Sequence, residues 1–161
     1  MVILFAGFSS HLIASNNQDL EVGLIDSMRL NKNTKTRLGD SGKAIRAYMR
    51  EGLVNKKPNE RADYTDYYLL KKPARLMGHD LVMIEEEYMS AYIGCCVSEG
   101  IGITVKVIGS TKNLEEFAKE NGCTFSDHVD LQSQLATVNI KTKISPGHYA
   151  SLSCRERDAN Q

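Results

Sequence analysis

The chain has 161 residues, 42% of them apolar and 25% charged, with seven Tyr, four Phe and no Trp. That is the size and balance of one ordinary globular domain, and it excludes collagenous, disordered and coiled-coil chains. Formal net charge is zero, yet residues 29–75 hold thirteen Lys and Arg against five Asp and Glu, while residues 76–130 hold three against ten.

The opening run from Met1 to Ala6 is apolar but short, with no basic residue before it. It is therefore expected to be a buried strand rather than a secretory leader. No apolar stretch approaches the ~20 residues that span a bilayer, so a cytoplasmic protein without membrane contact is expected. Asn16 and Asn17 offer N-caps for a helix running to about Leu30, with Leu20, Leu24 and Met28 on one side and Ile25 beside them. Residues 31–40 read as a polar loop. Asp40 or Ser41 caps a second helix that stops at Gly52, with Ile45, Tyr48 and Met49 inward and Lys43, Arg46 and Arg50 stacked on another face. Residues 54–63 read as a charged loop, and Tyr67–Leu70 as a short strand ended by Lys71, Lys72 and Pro73.

The sharpest pattern lies at about 80–108. Leu81–Ile84 forms a strand that turns near Glu85–Glu87. Met89, Ala91, Ile93, Cys95 and Val97 then alternate with polar or small residues, and Ile101, Ile103, Val105 and Val107 do so after the Ser98-Glu99-Gly100 turn. Period two on both sides of a glycine turn predicts a hairpin, and with the preceding strand a β-meander. A helix over about 111–121 follows, capped by Ser110 or by Asn113 with Glu116 as a capping box, and ended by Gly122. Ala136, Val138, Ile140 and Ile144 alternate with Thr137, Asn139, Lys141 and Lys143, which predicts a last strand. From Pro146 onward the chain is polar. The reading is one α+β domain over 1–154, its antiparallel or mixed sheet packed by helices mainly on one face, with 155–161 a frayed tail.

Cys95, Cys96, Cys123 and Cys154 fit neither a disulfide framework nor a metal knuckle, and are expected to be small buried thiols in a reducing compartment. Three constellations carry chemistry. The first is the basic segment, where Arg37, Lys43, Arg46, Arg50, Lys56, Lys57 and Arg61 sit among tyrosines. Cations neutralise phosphates and aromatic rings stack bases, so nucleic acid or a nucleotide is the expected ligand. A solvated helix face with basic loops is the competing reading.

The second constellation is a wet sheet face carrying Tyr88, Ser90 and Tyr92, with Thr104 and Lys106 and then Thr137, Asn139 and Lys141 on neighbouring strands. In composition it suits base stacking, and it equally suits a dimer interface. The third sets His79 with Glu85 and Glu87, and Asp127 with His128 and Asp130, as acid–base or metal-binding clusters. Surface acids explain both, and no metal or cofactor is assigned.

Gly7-Phe8-Ser9-Ser10-His11 lacks the second glycine of a nucleophile elbow, and no Gly-Lys-Ser/Thr phosphate loop is present. A small binding protein acting on nucleic acid, a nucleotide or a nucleic-acid-processing machine through residues 29–75 is therefore the leading expectation. A small metal-dependent hydrolase or nuclease comes second. An adaptor or inhibitor whose oppositely charged halves engage a protein partner or a second copy comes third.

Overall fold

In chain order the elements are α1 (Ser10–Met28), α2 (Ser41–Arg50), β1 (Glu60–Ala62), β2 (Thr65–Leu69), β3 (Arg75–Leu76), β4 (His79–Glu87) and β5 (Gly100–Lys106). They continue with α3 (Lys112–Asn121), β6 (Thr124–Ser126), α4 (Leu131–Thr137), β7 (Tyr149–Arg155) and α5 (Glu156–Ala159). This computed structural model describes residues 10–88 and 97–159. The expected first strand at Met1–Ala6 and most of the 89–97 hairpin arm lie outside the described residues.

One antiparallel sheet joins all seven described strands in the order β1-β2-β4-β5-β7-β6, with β3 beside the start of β4. The chain is thus a small single α+β domain. Cross-strand register sorts the side chains onto two faces. Tyr68, Ile84, Ile103, Leu152 and Phe125 lie opposite one another on one face. There they share a core with Leu24 and Met28 of α1, Ile45 and Tyr48 of α2, and Leu114 and Ala118 of α3. The other face carries Met83 and Tyr149, which α4 covers with Leu131 and Leu135. Three helices on one side and a short fourth on the other agree with the expected layering. β5 is buried on both faces, which its alternating pattern understates.

Several boundaries differ from those expected, each for a physical reason. α1 begins at Ser10, so Asn16 and Asn17 lie within it and do not cap it. α2 is as read: Asp40 accepts from the Lys43 N–H at 2.6 Å. The supposed loop at 54–63 contains β1, an edge strand whose Arg61 is recruited by Asp66.

β4 runs straight through Glu85–Glu87, where a turn was expected, because each carboxylate finds a partner: Arg155 for Glu85 and Glu87, and Ser41 for Glu86. Both edges of β5 are taken, one by β4 and the other by β7. α3 is preceded by Thr111, which makes no side-chain cap, and Asn113 is spent on His79 instead of a capping box.

The largest difference is at the end of the chain. Residues 131–137 are helical, capped by Asp130 on the Ser133 N–H, and 138–148 is irregular, where a strand was expected. The strand is β7. In it Ala150, Leu152 and Cys154 point into the core, while Ser151 and Ser153 give the stretch its polar look. The segment expected to fray carries the buried Arg155 and Asp158. Asp158 accepts from Thr124, Ser153 and the Arg155 N–H. Cys123 and Cys154 are joined in a disulfide that ties β7 to the start of β6, so these two are not free thiols. No helix among the described residues is long and apolar enough to cross a membrane.

Candidate functional site: a cleft between helix α2 and the sheet

Where α2 leans on the β2–β4 end of the sheet, a cleft of about 720 Å³ opens between the 35–40 loop, the first turn of α2, and Glu99, Glu156 and Ala159. Gly39 shapes one wall: it passes so close to α1 that a Cβ there would sit 2.7 Å from the Ser27 nitrogen. The floor is a pair of carboxylates. Asp66 on β2 and Glu86 on β4 are direct cross-strand partners, so both side chains rise from the same face into the same space.

The two acids are compensated unequally. Asp66 is 3% exposed and gripped by Arg61 through Nε–Oδ1 at 2.5 Å and a second guanidinium bond at 2.7 Å. It also accepts from the Tyr88 hydroxyl at 3.1 Å and the Tyr68 hydroxyl at 3.3 Å. Arg61 lies over the Tyr88 ring, 5.1 Å from its centroid. The charge of Asp66 is therefore spoken for. Glu86 accepts one hydroxyl bond, from Ser41 at 2.9 Å. Burial pushes its carboxyl above the usual range and the neighbouring Asp66 adds to this, while Ser41 and Arg46 work against it. The Tyr68 phenol is pushed up to about 12, first by burial and then by Asp66, so it remains a donor.

The basic residues separate into two groups. Arg37 is structural: it donates to the carbonyls of Met28, Asn121, Gly122 and Arg155, tying the ends of α1, α3 and β7 together. Arg61 is committed to Asp66. Lys43, Arg46 and Arg50 form the expected exposed row on α2, Arg46 at the cleft mouth 3.9 Å from Asp40, and Lys56 and Lys57 are exposed in the following loop. Lys35 joins Arg46 on the rim.

Among the described residues, the members of the expected tyrosine–lysine sheet face do not come together on one face. Tyr88 belongs to the cleft, Ser90 and Tyr92 lie outside the described residues, and Thr104 is fully buried. Lys106 donates to Ser145, Thr137 ends α4, and Lys141 sits in the irregular 138–148 segment.

The two acid–histidine clusters also resolve. His79 is 2% exposed; its Nδ1 accepts from the Ile108 N–H at 3.0 Å, so Nε2 carries the proton toward Asn113. It is a core pin at the far end of β4 from Glu85 and Glu87. Those two, on the opposite face from Glu86, bind Arg155 at 2.7 and 2.9 Å, with Arg157 also on Glu87. The Arg155 Nε–Glu87 approach is a charge contact whose N–H points off line. Gly102 makes room for this pair, since a Cβ there would meet Glu85 at 2.8 Å.

Asp127 and His128 do come together, and His148 joins them, while Asp130 is occupied as the α4 cap. Asp66, Glu86, Ser41, Tyr68 and His148 were not singled out by the sequence. One signal was readable: an aspartate amid the strand pattern Thr65–Leu69 requires a partner. The chain matches no protein-family model, no curated protein and no solved structure.

Proposed function

We propose that the protein is a binding module for a nucleotide or the end of a single-stranded nucleic acid, with the base in the α2 cleft and the phosphates on its rim. One observation carries the reading: a half-buried carboxylate, Glu86, which among the described residues has one hydroxyl partner, beside two tyrosines and beneath exposed cations. A buried carboxylate is relieved by N–H donors, and the amino and imino edges of nucleobases present them in the plane of a flat ring. Asp66 is neutralised by Arg61 and so does not repel an anionic ligand as an open charge would. Lys35 and Arg46 stand where phosphates would leave the cleft, and Lys43 and Arg50 extend the same helix. The volume falls in the range of small-molecule sites.

Binding without turnover is favoured over a metal hydrolase. The Asp127–His128–His148 cluster lies beyond the Lys106 end of β5 and the cleft at its Gly100 end, roughly 20 Å away at the rise of a seven-residue strand. The reducing compartment expected for the cysteines loses support with Cys123 and Cys154 joined, since a persistent disulfide favours an oxidising one.

The test is isothermal titration with purine and pyrimidine nucleotides and a short single strand. Glu86→Gln is expected to weaken binding at least about tenfold, the ~1.4 kcal/mol of one hydrogen bond to a charged group. Replacing Lys43, Arg46 and Arg50 together with Gln is expected to weaken it and to flatten its salt dependence, by about 0.7 for each phosphate of a single strand that is no longer neutralised. Affinity for simple alkylamines with none for nucleotides, or triple-variant affinity equal to wild type, overturns the reading.

A further inference from the structure

At the other end of the sheet, three side chains that ligate transition metals converge on two backbone segments held rigidly by the ladder. β6 pairs with β7 up to Ser126–Ser151, and beyond that pair the Val129 N–H still bonds the Tyr149 carbonyl at 2.9 Å. The Val107 N–H bonds the His148 carbonyl at 2.8 Å. Asp127 and His128 on one segment therefore face His148 on the other through fixed backbone. His128 takes φ 51°, a left-handed conformation histidine tolerates better than most residues, and this turns its ring back over that of His148. The rings stack with centroids 4.2 Å apart and planes 14° from parallel.

The carboxylate of Asp127 reaches the edges of both rings, 2.5 Å from His148 Nε2 and 3.7 Å from His128 Nε2.

We infer that Asp127, His128 and His148 form a binding site for a divalent transition-metal ion of the zinc class. One ligand atom from each of the three lies within 4.8 Å of the other two. Tetrahedral zinc with bonds of about 2.0–2.1 Å needs ligand atoms about 3.3 Å apart. The three lie close to that spacing: the Asp127–His148 contact opens toward it, and His128, whose side chain is 78% exposed, is free to swing in. Stacked rings do not aim their lone pairs at one point, so His128 rotates out of the stack as it binds. The metal takes the place of the hydrogen bond between His148 Nε2 and Asp127, and the proton of that bond passes to solvent. Two imidazoles and one carboxylate suit zinc, copper(II) or nickel(II) over magnesium or calcium, and they leave a fourth position for water. The site clamps residues 127–128 to 148 across the sheet edge and stands apart from the α2 cleft.

The probe is Zn²⁺, titrated into the metal-stripped full chain at pH 7.5 against a chromophoric chelator, with zinc-edge absorption on the loaded protein. One ion per chain is expected, with two nitrogen neighbours. His128→Ala and His148→Ala are each expected to weaken binding about tenfold or more. Magnesium is expected to compete poorly. His128 is exposed, so its variant keeps the test available should His148→Ala fail to fold by circular dichroism. Absence of saturable binding at 100-fold excess over a micromolar protein, or undiminished affinity in both variants, overturns the assignment.

Discussion

Glu86 shows how one residue can cost stability and still be retained. Its proton is held more tightly in the folded chain than in the unfolded one, chiefly because the site is buried. The favourable contribution of that proton is therefore complete below the ordinary carboxylate value and is lost as pH rises through the raised value of Glu86 itself. Against Glu86→Gln, which keeps a partner for Ser41, the wild-type chain is expected to melt at the same temperature near pH 4 and at a lower one near pH 8. A melting difference that does not change between these pH values would show that burial is not what Glu86 suffers. Arg155 presents the opposite case: buried but paired with Glu85 and Glu87, it offsets its own desolvation, and removing either side strands the other.

At the scale of elements, the disulfide between Cys123 and Cys154 spans 31 residues and fixes the short β6 to β7. Closing a loop of that length in the unfolded chain stabilises by about 3–4 kcal/mol in the chain-entropy model. Cys123→Ser with Cys154→Ser, or reduction of the wild type, is expected to lower the guanidinium midpoint by a corresponding amount, read by circular dichroism because the chain has no tryptophan to report it. A midpoint indifferent to reductant would place the cysteines outside the folding balance.

The elements that periodicity announced were those whose neighbours reinforce local preference: α2 with its Asp40 cap, α3 with its Gly122 stop, and β5 with Ile101, Ile103 and Val105. The elements it hid are those whose polarity is explained by distant partners. The Glu85–Glu87 triplet reads as a turn until Arg155, some 70 residues on, is placed against it. Ser151 and Ser153 make β7 look like a tail until its other face is counted. Likewise the cleft was half legible: Arg46 on its rim lies on a helix that the sequence delineates. Its acids are set side by side by a register that the sequence alone does not state.

Across the whole molecule, the charge asymmetry is partly an internal matter. Arg61 meets Asp66, Arg75 meets Asp80 at 3.3 Å, and Arg37 donates to four backbone carbonyls. What is left facing solvent is the α2 row with Lys32, Lys35, Lys56, Lys57, Lys71 and Lys72, a basic surface somewhat narrower than the composition suggests.

The position of β7 also sets a timetable. Being last in chain order yet interior in the sheet, it leaves one edge of β5 and the whole of β6 without a neighbour until residues 149–155 have been made. The sheet therefore cannot close as the chain emerges during synthesis, and an apolar strand edge stays open for pairing with other chains in the interim. A chain ending at His148 is expected to be digested rapidly by protease and to aggregate, and adding a peptide of 149–159 is expected to restore protection. Resistance of the shortened chain to digestion would mean that the sheet closes early without its final strand.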